Sequence, residues 1–125
     1  MRHTLTLCLW LLAPAALAQS AGADLRPGET ALSDAAMATE VRGATHEFFD
    51  GGKSFFSLTD AYSYTYPDGG IAYGRYEILE DGLVCTYFNH GFDRCDTYVM
   101  SNGRLVLITE TGLRFPVRTA TRGGV

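Results

Sequence analysis

Two cysteines stand on either side of a short polar loop, and their spacing constrains the fold more than any other feature. Strand-forming residues flank the loop Asn89-His90-Gly91, a pattern typical of a β-hairpin. A three-residue loop places Phe88 opposite Phe92, and counting three residues back along each strand places Cys85 opposite Cys95. If the first pair is hydrogen-bonded, the cysteines form a non-hydrogen-bonded pair, where side chains approach closest. We therefore predict a cross-strand disulfide between Cys85 and Cys95.

Turn residues recur between apolar runs throughout the second half of the chain. The turns are Pro67-Asp68-Gly69-Gly70, Asp81-Gly82, Asn89-His90-Gly91, Asn102-Gly103 and Thr111-Gly112. They separate six strand-like runs, at residues 62–66, 71–79, 83–88, 92–100, 105–109 and 113–118. Asp-Gly and Asn-Gly pairs favour tight hairpin turns, and connections this short force neighbouring strands to be antiparallel. The pattern predicts a β-meander.

A helix is predicted before the meander, over residues 34–50. Ser33 or Asp34 provides an N-cap, and Gly51-Gly52 provides a stop. The apolar residues recur at helical spacing: Met37, Val41, Ala44 and Phe48. The predicted fold class is α+β, with one N-terminal helix packed on an antiparallel meander of five or six strands. Curling of that sheet toward a partial barrel is left open.

The first eighteen residues have the pattern of a signal peptide. A basic start is followed by an apolar run and by Ala16-Leu17-Ala18, which suits cleavage. We predict a signal peptide at 1–18, a flexible leader at 19–31, a single α+β domain at 32–118 and a frayed tail at 119–125. A signal peptide and a disulfide both favour a periplasmic or secreted protein.

Charge and composition exclude several classes of partner. Without residues 1–18 the chain keeps nine basic and fourteen acidic residues, a formal net charge of −5. This argues against nucleic acid as a partner. No later apolar run has the length of a membrane span, so we expect no integral membrane segment after cleavage. Two cysteines and two histidines remain, without the spacing of a zinc finger, and we predict neither a metal nor a cofactor.

Extending the hairpin register across the other turns assigns side chains to two faces of the sheet. The predicted core face carries Leu83, Cys85, Tyr87, Cys95, Val99, Val106, Ile108, Leu113, Phe115, Val117, Tyr76 and Ile78. The opposite face carries Tyr62, Tyr64, Tyr66, Tyr73, Phe88, Phe92, Tyr98, Leu105 and Leu107, mixed with Arg75, Arg94, Arg114, Glu77 and Asp96. We expect an aromatic surface of this size to be buried, by curling of the sheet into a partial barrel, by a dimer or by a ligand.

The aromatic and arginine-bearing face is the main candidate site. Tyr and Arg are enriched at interaction hot spots. We hypothesise that the binding residues are Tyr64, Tyr73, Arg75, Phe88, Phe92 and Arg94. The alternative is that these are half-buried cross-strand pairs, for which aromatic residues are good strand formers.

Two histidines are further candidates. His90 with Asp93 on the hairpin loop suits acid–base work or a metal, although a loop histidine is more often simply exposed. His46 and Asp50 fall on one face of the predicted helix. Two such residues could contribute to a metal site, but they are more commonly an exposed pair on the helix surface.

The chain resembles the small exported proteins of unknown function that are common in alphaproteobacteria. The likeness rests on the signal peptide, on Phe-Phe-Asp-Gly at 48–51, on the run at 66–76 from Tyr-Pro-Asp-Gly-Gly to Gly-Arg-Tyr, and on the hairpin at 85–95. It implies an exported helix-plus-meander fold. The predicted function is a non-enzymatic binding or interaction module for an unknown protein or small ligand. The alternative is an inhibitor of a cell-wall hydrolase, acting through the Asn89–Asp93 loop; an enzyme that uses His90 and Asp93 is a third hypothesis.

Overall fold

Nine strands and one short helix make up residues 23–123, the part of the chain that the computed structural model describes. In chain order these elements are β1 (Glu29–Ala31), α1 (Asp34–Glu40), β2 (Ala44–Phe48), β3 (Lys53–Phe56), β4 (Ala61–Thr65), β5 (Ile71–Ile78), β6 (Leu83–Phe88), β7 (Asp93–Ser101), β8 (Arg104–Ile108) and β9 (Arg114–Arg122). The predicted signal peptide at 1–18 lies outside the described residues.

The sheet closes on itself. Each strand from β2 to β9 pairs antiparallel with its neighbours in sequence, and β9 pairs back with β2, where His46 lies opposite Ala120. The result is a closed eight-stranded antiparallel barrel, which leaves no open sheet edge. The extra strand β1 pairs with Val99–Ser101 at the end of β7. These residues extend past Thr97, which lies opposite the first residue of β6.

The predicted α+β fold, a helix packed on a meander, is wrong. Only the first part of 34–50 is helical, and α1 begins at the predicted N-cap, where Ser33 accepts a hydrogen bond from the amide of Ala36. Gly43 then adopts a φ of +75°, which interrupts the helix. Alternate residues of β2 after it face the barrel interior. Ala44 and Phe48, four residues apart, fit a strand period as well as a helical one, and pairing with β3 and β9 decides between them.

Three-residue loops set the strand register. In five hairpins the amide before the loop donates to the carbonyl after it: Phe48 to Gly52, Tyr66 to Gly70, Leu79 to Leu83, Phe88 to Phe92, and Thr109 to Leu113, at 2.7–2.9 Å. The third loop residue is a glycine with positive φ in each case: Gly51, Gly69, Gly82, Gly91 and Gly112. Only the turn at Asn102-Gly103 has two residues.

The predicted division of side chains between two faces is wrong for most strands for this reason, although Tyr76, Ile78, Phe115 and Val117 do lie on the interior side, as predicted. The prediction used two-residue turns at 81–82 and 111–112 and a four-residue turn at 67–70. One residue of slip at each turn exchanges the faces of the strand beyond it. Leu107 therefore lies opposite Phe115, whereas the prediction places Ile108 on the same face as Phe115.

Most of the predicted outer aromatic face lies inside the barrel. The buried interior cluster is Leu32, Met37, Val41, Phe48, Phe56, Tyr62, Tyr76, Val84, Tyr98, Leu105, Leu107 and Val117. Three residues assigned to the predicted core, Val99, Val106 and Ile108, are buried in a separate cluster outside the interior cluster, and Ala23 packs against them.

The predicted disulfide is confirmed. Cys85 lies opposite Cys95 in the β6–β7 register, and their sulfurs are 2.03 Å apart. The loop that fixed this register is also as predicted, because the Phe88 amide donates to the Phe92 carbonyl over 2.9 Å.

The helix closes one end of the barrel. Met37 and Val41 are fully buried against the interior cluster. The Arg42 side chain donates to the carbonyl of Thr59, and the Gly43 amide donates to that of Ser57, so the segment after α1 is fixed to the β3–β4 connection. No such cover lies over the opposite end in the described residues, and that end holds the β2–β3, β4–β5, β6–β7 and β8–β9 connections.

A buried histidine connects the helix to the barrel wall. His46 Nε2 lies 2.7 Å from the Glu40 carbonyl, and Nδ1 lies 2.7 Å from the Tyr98 hydroxyl. Because a carbonyl oxygen only accepts, Nε2 carries the proton, and Nδ1 of the neutral ring accepts from Tyr98. Burial lowers the pKa of His46, with the hydrogen bond to Glu40 opposing the shift, and burial raises the pKa of Tyr98 well above its usual value.

This arrangement makes stability depend on pH. The unfolded chain takes up a proton at His46 near pH 6.5, whereas the folded chain does so only at a lower pH. Stability contributed by neutral His46 is therefore present above about pH 6.5 and is lost as the pH falls toward the folded pKa, with a limiting slope of about 1.4 kcal/mol per pH unit. Buried Asp96, whose pKa is raised, has the opposite effect on stability as the pH falls.

The measurement is therefore a comparison of wild type with His46→Gln by urea unfolding between pH 7.5 and pH 5. The difference in unfolding free energy between the two proteins should shrink as the pH falls, while Asp96 contributes equally to both. Parallel pH curves for the two proteins would show that His46 does not titrate in this way.

Candidate ligand-binding cavity

A cavity occupies the open end of the barrel. Its volume is about 250 Å³. The residues that line it are Phe48, Ser54, Tyr64, Tyr66, Phe88, His90, Phe92, Arg94, Leu107 and Phe115. Seven of the ten carry an aromatic ring, so the wall is mainly apolar but offers ring faces and edges to an occupant.

The rings of the wall contact one another in defined pairs. Phe88 and His90 stack with their planes 6° apart and their centroids 5.3 Å apart. Tyr64 meets Tyr66 edge to face at 4.9 Å. Gly52 lies beside this pair, and a Cβ there would fall 2.2 Å from the Tyr64 hydroxyl oxygen, so glycine leaves the space that Tyr64 occupies. The wall is therefore set by packing before any ligand arrives.

The polar side-chain atoms of the wall belong to Ser54, Tyr64, Tyr66, His90 and Arg94. The Ser54 hydroxyl and the Tyr62 hydroxyl are 3.0 Å apart and hydrogen-bonded. Burial raises the pKa of Tyr62 to about 12, with the hydrogen bond to Ser54 opposing the shift, so the phenol stays neutral at physiological pH.

Arg94, the charged residue of the cavity wall, is hydrogen-bonded to a buried carboxylate. Arg94 Nε donates to Asp96 Oδ2 over 2.7 Å, and Asp96 Oδ1 accepts from the Glu110 amide over 3.1 Å. The Asp96 side chain is 3% exposed, whereas that of Arg94 is 30% exposed and faces the cavity. Burial raises the pKa of Asp96 although Arg94 lowers it. Two hydrogen bonds thus orient the carboxylate, and the carboxylate orients the guanidinium.

The structure divides the six residues hypothesised as a binding face. Tyr64, Phe88, Phe92 and Arg94 line the cavity together. Tyr73 and Arg75 point outward: Tyr73 is 59% exposed, and the Arg75 guanidinium lies 4.7 Å above the Tyr87 ring on the outer surface.

Five further residues line the cavity that the sequence did not single out for binding. They are Phe48, Ser54, Tyr66, Leu107 and Phe115. The prediction places Phe48 on the helix, Phe115 on the core face, and Tyr66 and Leu107 on the aromatic face but outside the six binding residues. In the sequence, Thr45 and Glu47 alternate with Ala44 and Phe48, which is the strand signal for Phe48, and alternate burial along β2 and β3 confirms that Phe48 and Ser54 lie on the interior side.

The two histidine hypotheses have different outcomes. His90 lines the cavity through its stack on Phe88, whereas Asp93 begins β7 opposite Tyr87, on the outward side. The proposed helix pair of His46 and Asp50 is wrong, because His46 lies inside the barrel on β2 and Asp50 accepts from the Gly52 amide in the following loop. Within residues 23–123, no three His, Cys, Asp or Glu side chains are grouped as metal ligands would be.

These features define a class: an eight-stranded barrel closed at one end, with an aromatic cavity at the other. Comparison with known protein families, characterised proteins and solved structures finds no match to the chain. Over the described residues, no helix combines the length and the apolar character required to cross a bilayer.

Proposed function

We propose that this protein binds a small, mainly apolar molecule in the cavity at the open end of its barrel. The observation that carries the proposal is a cavity of about 250 Å³ with an aromatic wall in a barrel whose other end is closed by α1. The interior of an eight-stranded barrel is wide enough to be filled by side chains or to hold one small ligand. Here the interior cluster fills part of the barrel, and the cavity lies at the open end. Concave, largely apolar pockets with a few convergent polar groups are typical of small-molecule sites.

Rim residues support access from solvent. Phe92 is 54% exposed although it also lines the cavity, and Tyr66 is similarly placed in the β4–β5 connection. Burial of these rings against a ligand would remove apolar surface from water, which favours binding.

The proposal includes export to the periplasm. The disulfide between Cys85 and Cys95 supports an oxidising compartment, and the leader pattern of residues 1–18 supports secretion.

The alternative function, an inhibitor acting through the Asn89–Asp93 loop, stays a prediction. His90 and Phe92 of that loop pack near Phe88 in the cavity wall, with ring centroids 5.3 Å and 6.2 Å from that of Phe88. This packing supports a role for the loop in enclosing a ligand, so the small-molecule proposal is preferred.

A neutral fluorescent probe tests the proposal. N-phenyl-1-naphthylamine fluoresces in apolar surroundings, and we expect saturable one-to-one binding in the micromolar range. The double variant Tyr66→Ala/Phe92→Ala removes two rim rings, each worth about 0.5–1.5 kcal/mol, and should weaken binding about tenfold. Tyr73→Ala is the matched control, because it removes an exposed tyrosine from the outer surface and should leave binding unchanged.

Two results would contradict the proposal. One is the absence of saturable binding to the folded, oxidised wild-type protein. The other is an equal loss of affinity in Tyr73→Ala and in the rim variant, which would place the probe on the outer surface.

A further inference from the structure

Arg94 gives the cavity a charge opposite to that of the whole protein. Among the ten lining residues it is the single Lys or Arg, and none of the ten is Asp or Glu. The full chain has a formal net charge of −4. Asp96 balances this charge from behind the wall, but it is 3% exposed and does not line the cavity, so the guanidinium is the charged group that an occupant meets. A hydrogen bond from a guanidinium to an anion is stronger in a largely apolar cavity than on an exposed surface, because the local dielectric constant is lower.

The orientation of Arg94 leaves its carboxylate-binding edge available. Asp96 engages Nε, and over residues 23–123 the Nη1 and Nη2 groups make no further hydrogen bond. These two nitrogens form the planar fork that pairs with a carboxylate through two parallel hydrogen bonds. Asp96 has both oxygens engaged, one by Arg94 and one by the Glu110 amide, which fixes the fork before a ligand binds.

Volume and wall chemistry limit the remainder of the ligand. An apolar cavity of about 150 Å³ accepts a benzene ring. The cavity here, at about 250 Å³, has room for a second fused ring. Aromatic walls favour a planar ring system, since offset and edge-on ring contacts add attraction beyond the buried area.

We propose that the cavity selects a planar aromatic acid of about two rings, whose carboxylate pairs with the Nη1–Nη2 edge of Arg94. This inference rests on the proposed function, because it names the chemical class of ligand for the same cavity. The rings pack within the aromatic wall, and the carboxylate lies beside the Arg94 guanidinium.

A matched pair of probes separates the inference from the proposed function. 2-Naphthoate and 2-naphthalenemethanol have the same ring system and differ in the charged group. Isothermal calorimetry at pH 7.5 should give affinity for the acid at least about tenfold higher than for the alcohol, the range expected for hydrogen bonds to a charged partner.

Variants then assign the preference to Arg94. Removing Arg94 alone would leave Asp96 buried without a partner, so the test uses Arg94→Met/Asp96→Asn, which removes both charges together. The acid should lose its advantage over the alcohol in this variant, while the alcohol still binds. Arg75→Met, which removes an arginine from the outer surface, should keep the full preference.

The outcomes are distinguishable. Equal affinities for the two probes in wild type, or a preference for the acid that persists in the double variant, would overturn the inference while binding of the alcohol still supports the cavity. Failure of both probes to bind the folded protein would overturn the proposed function and this inference with it.

Discussion

Replacing Phe56 by alanine is expected to lower the free energy of unfolding by about 4 kcal/mol. Phe56 is 2% exposed and lies at the centre of the barrel. Its ring centroid is 5.0–6.3 Å from those of four other rings: His46, Tyr62, Tyr76 and Tyr98. Truncation removes the transfer free energy of the ring and leaves a cavity that surrounding strands, fixed by barrel closure, fill only in part.

Phe55→Ala is the matched control for this variant. Phe55 is the preceding residue on β3, points to the opposite side and is partly exposed. Its replacement should cost about 1 kcal/mol or less, as measured by urea unfolding under the same conditions. Equal losses for the two variants would show that Phe56 does not lie in the closed interior.

Removal of the disulfide has the second largest expected effect on stability. Cys85 and Cys95 are ten residues apart, and closing a loop of that size contributes about 3 kcal/mol through the entropy of the unfolded chain. The double variant Cys85→Ala/Cys95→Ala should therefore lose about 3 kcal/mol in chemical unfolding. For a domain near a hundred residues, this is a large fraction of total stability.

A reductant provides the control for the disulfide prediction. Wild type should fall to about the stability of the double variant when dithiothreitol is added, and the double variant should not respond. If wild type were equally stable with and without the reductant, the disulfide would not be the source of this stability.

The sequence predicted local pairing well and the faces of the sheet poorly, and one residue per turn explains the difference. At Asn89-His90-Gly91 the three-residue loop was recognised, and the cysteine register followed correctly. The same tripeptide pattern, ending in a glycine with positive φ, occurs at 80–82 and 110–112. Reading those as two-residue turns moved each following strand by one position, which reverses its faces.

Closure of the barrel could not be predicted from local sequence patterns. β2 and β9 lie near opposite ends of the described chain, and nothing in either segment alone indicates that they pair. Residues 44–48 also fit a helical period, because Ala44 and Phe48 are four apart. Tertiary pairing with β3 and β9 therefore decided the local structure, and it brought Phe48 into the cavity wall.

Four of the six hypothesised binding residues nevertheless share the cavity. The many aromatic residues on one predicted face indicated that this face would be buried, and closure of the sheet into a barrel buries most of them. Tyr73 and Arg75 lie outside the cavity. The prediction was one residue out of register at the β4–β5 turn, so it assigned the odd-numbered residues of β5 to the wrong face. The sequence therefore identified the residue types of the site, while register decided which of them meet.

The most direct test of the account is a set of intermolecular nuclear Overhauser effects between bound N-phenyl-1-naphthylamine and the isotope-labelled, oxidised protein. We predict contacts from the probe to the rings of Phe88 on β6 and Phe115 on β9, which both line the cavity, and none to Tyr73 or Tyr87. Contacts confined to Tyr73 and Tyr87, with none to the other two rings, would contradict it.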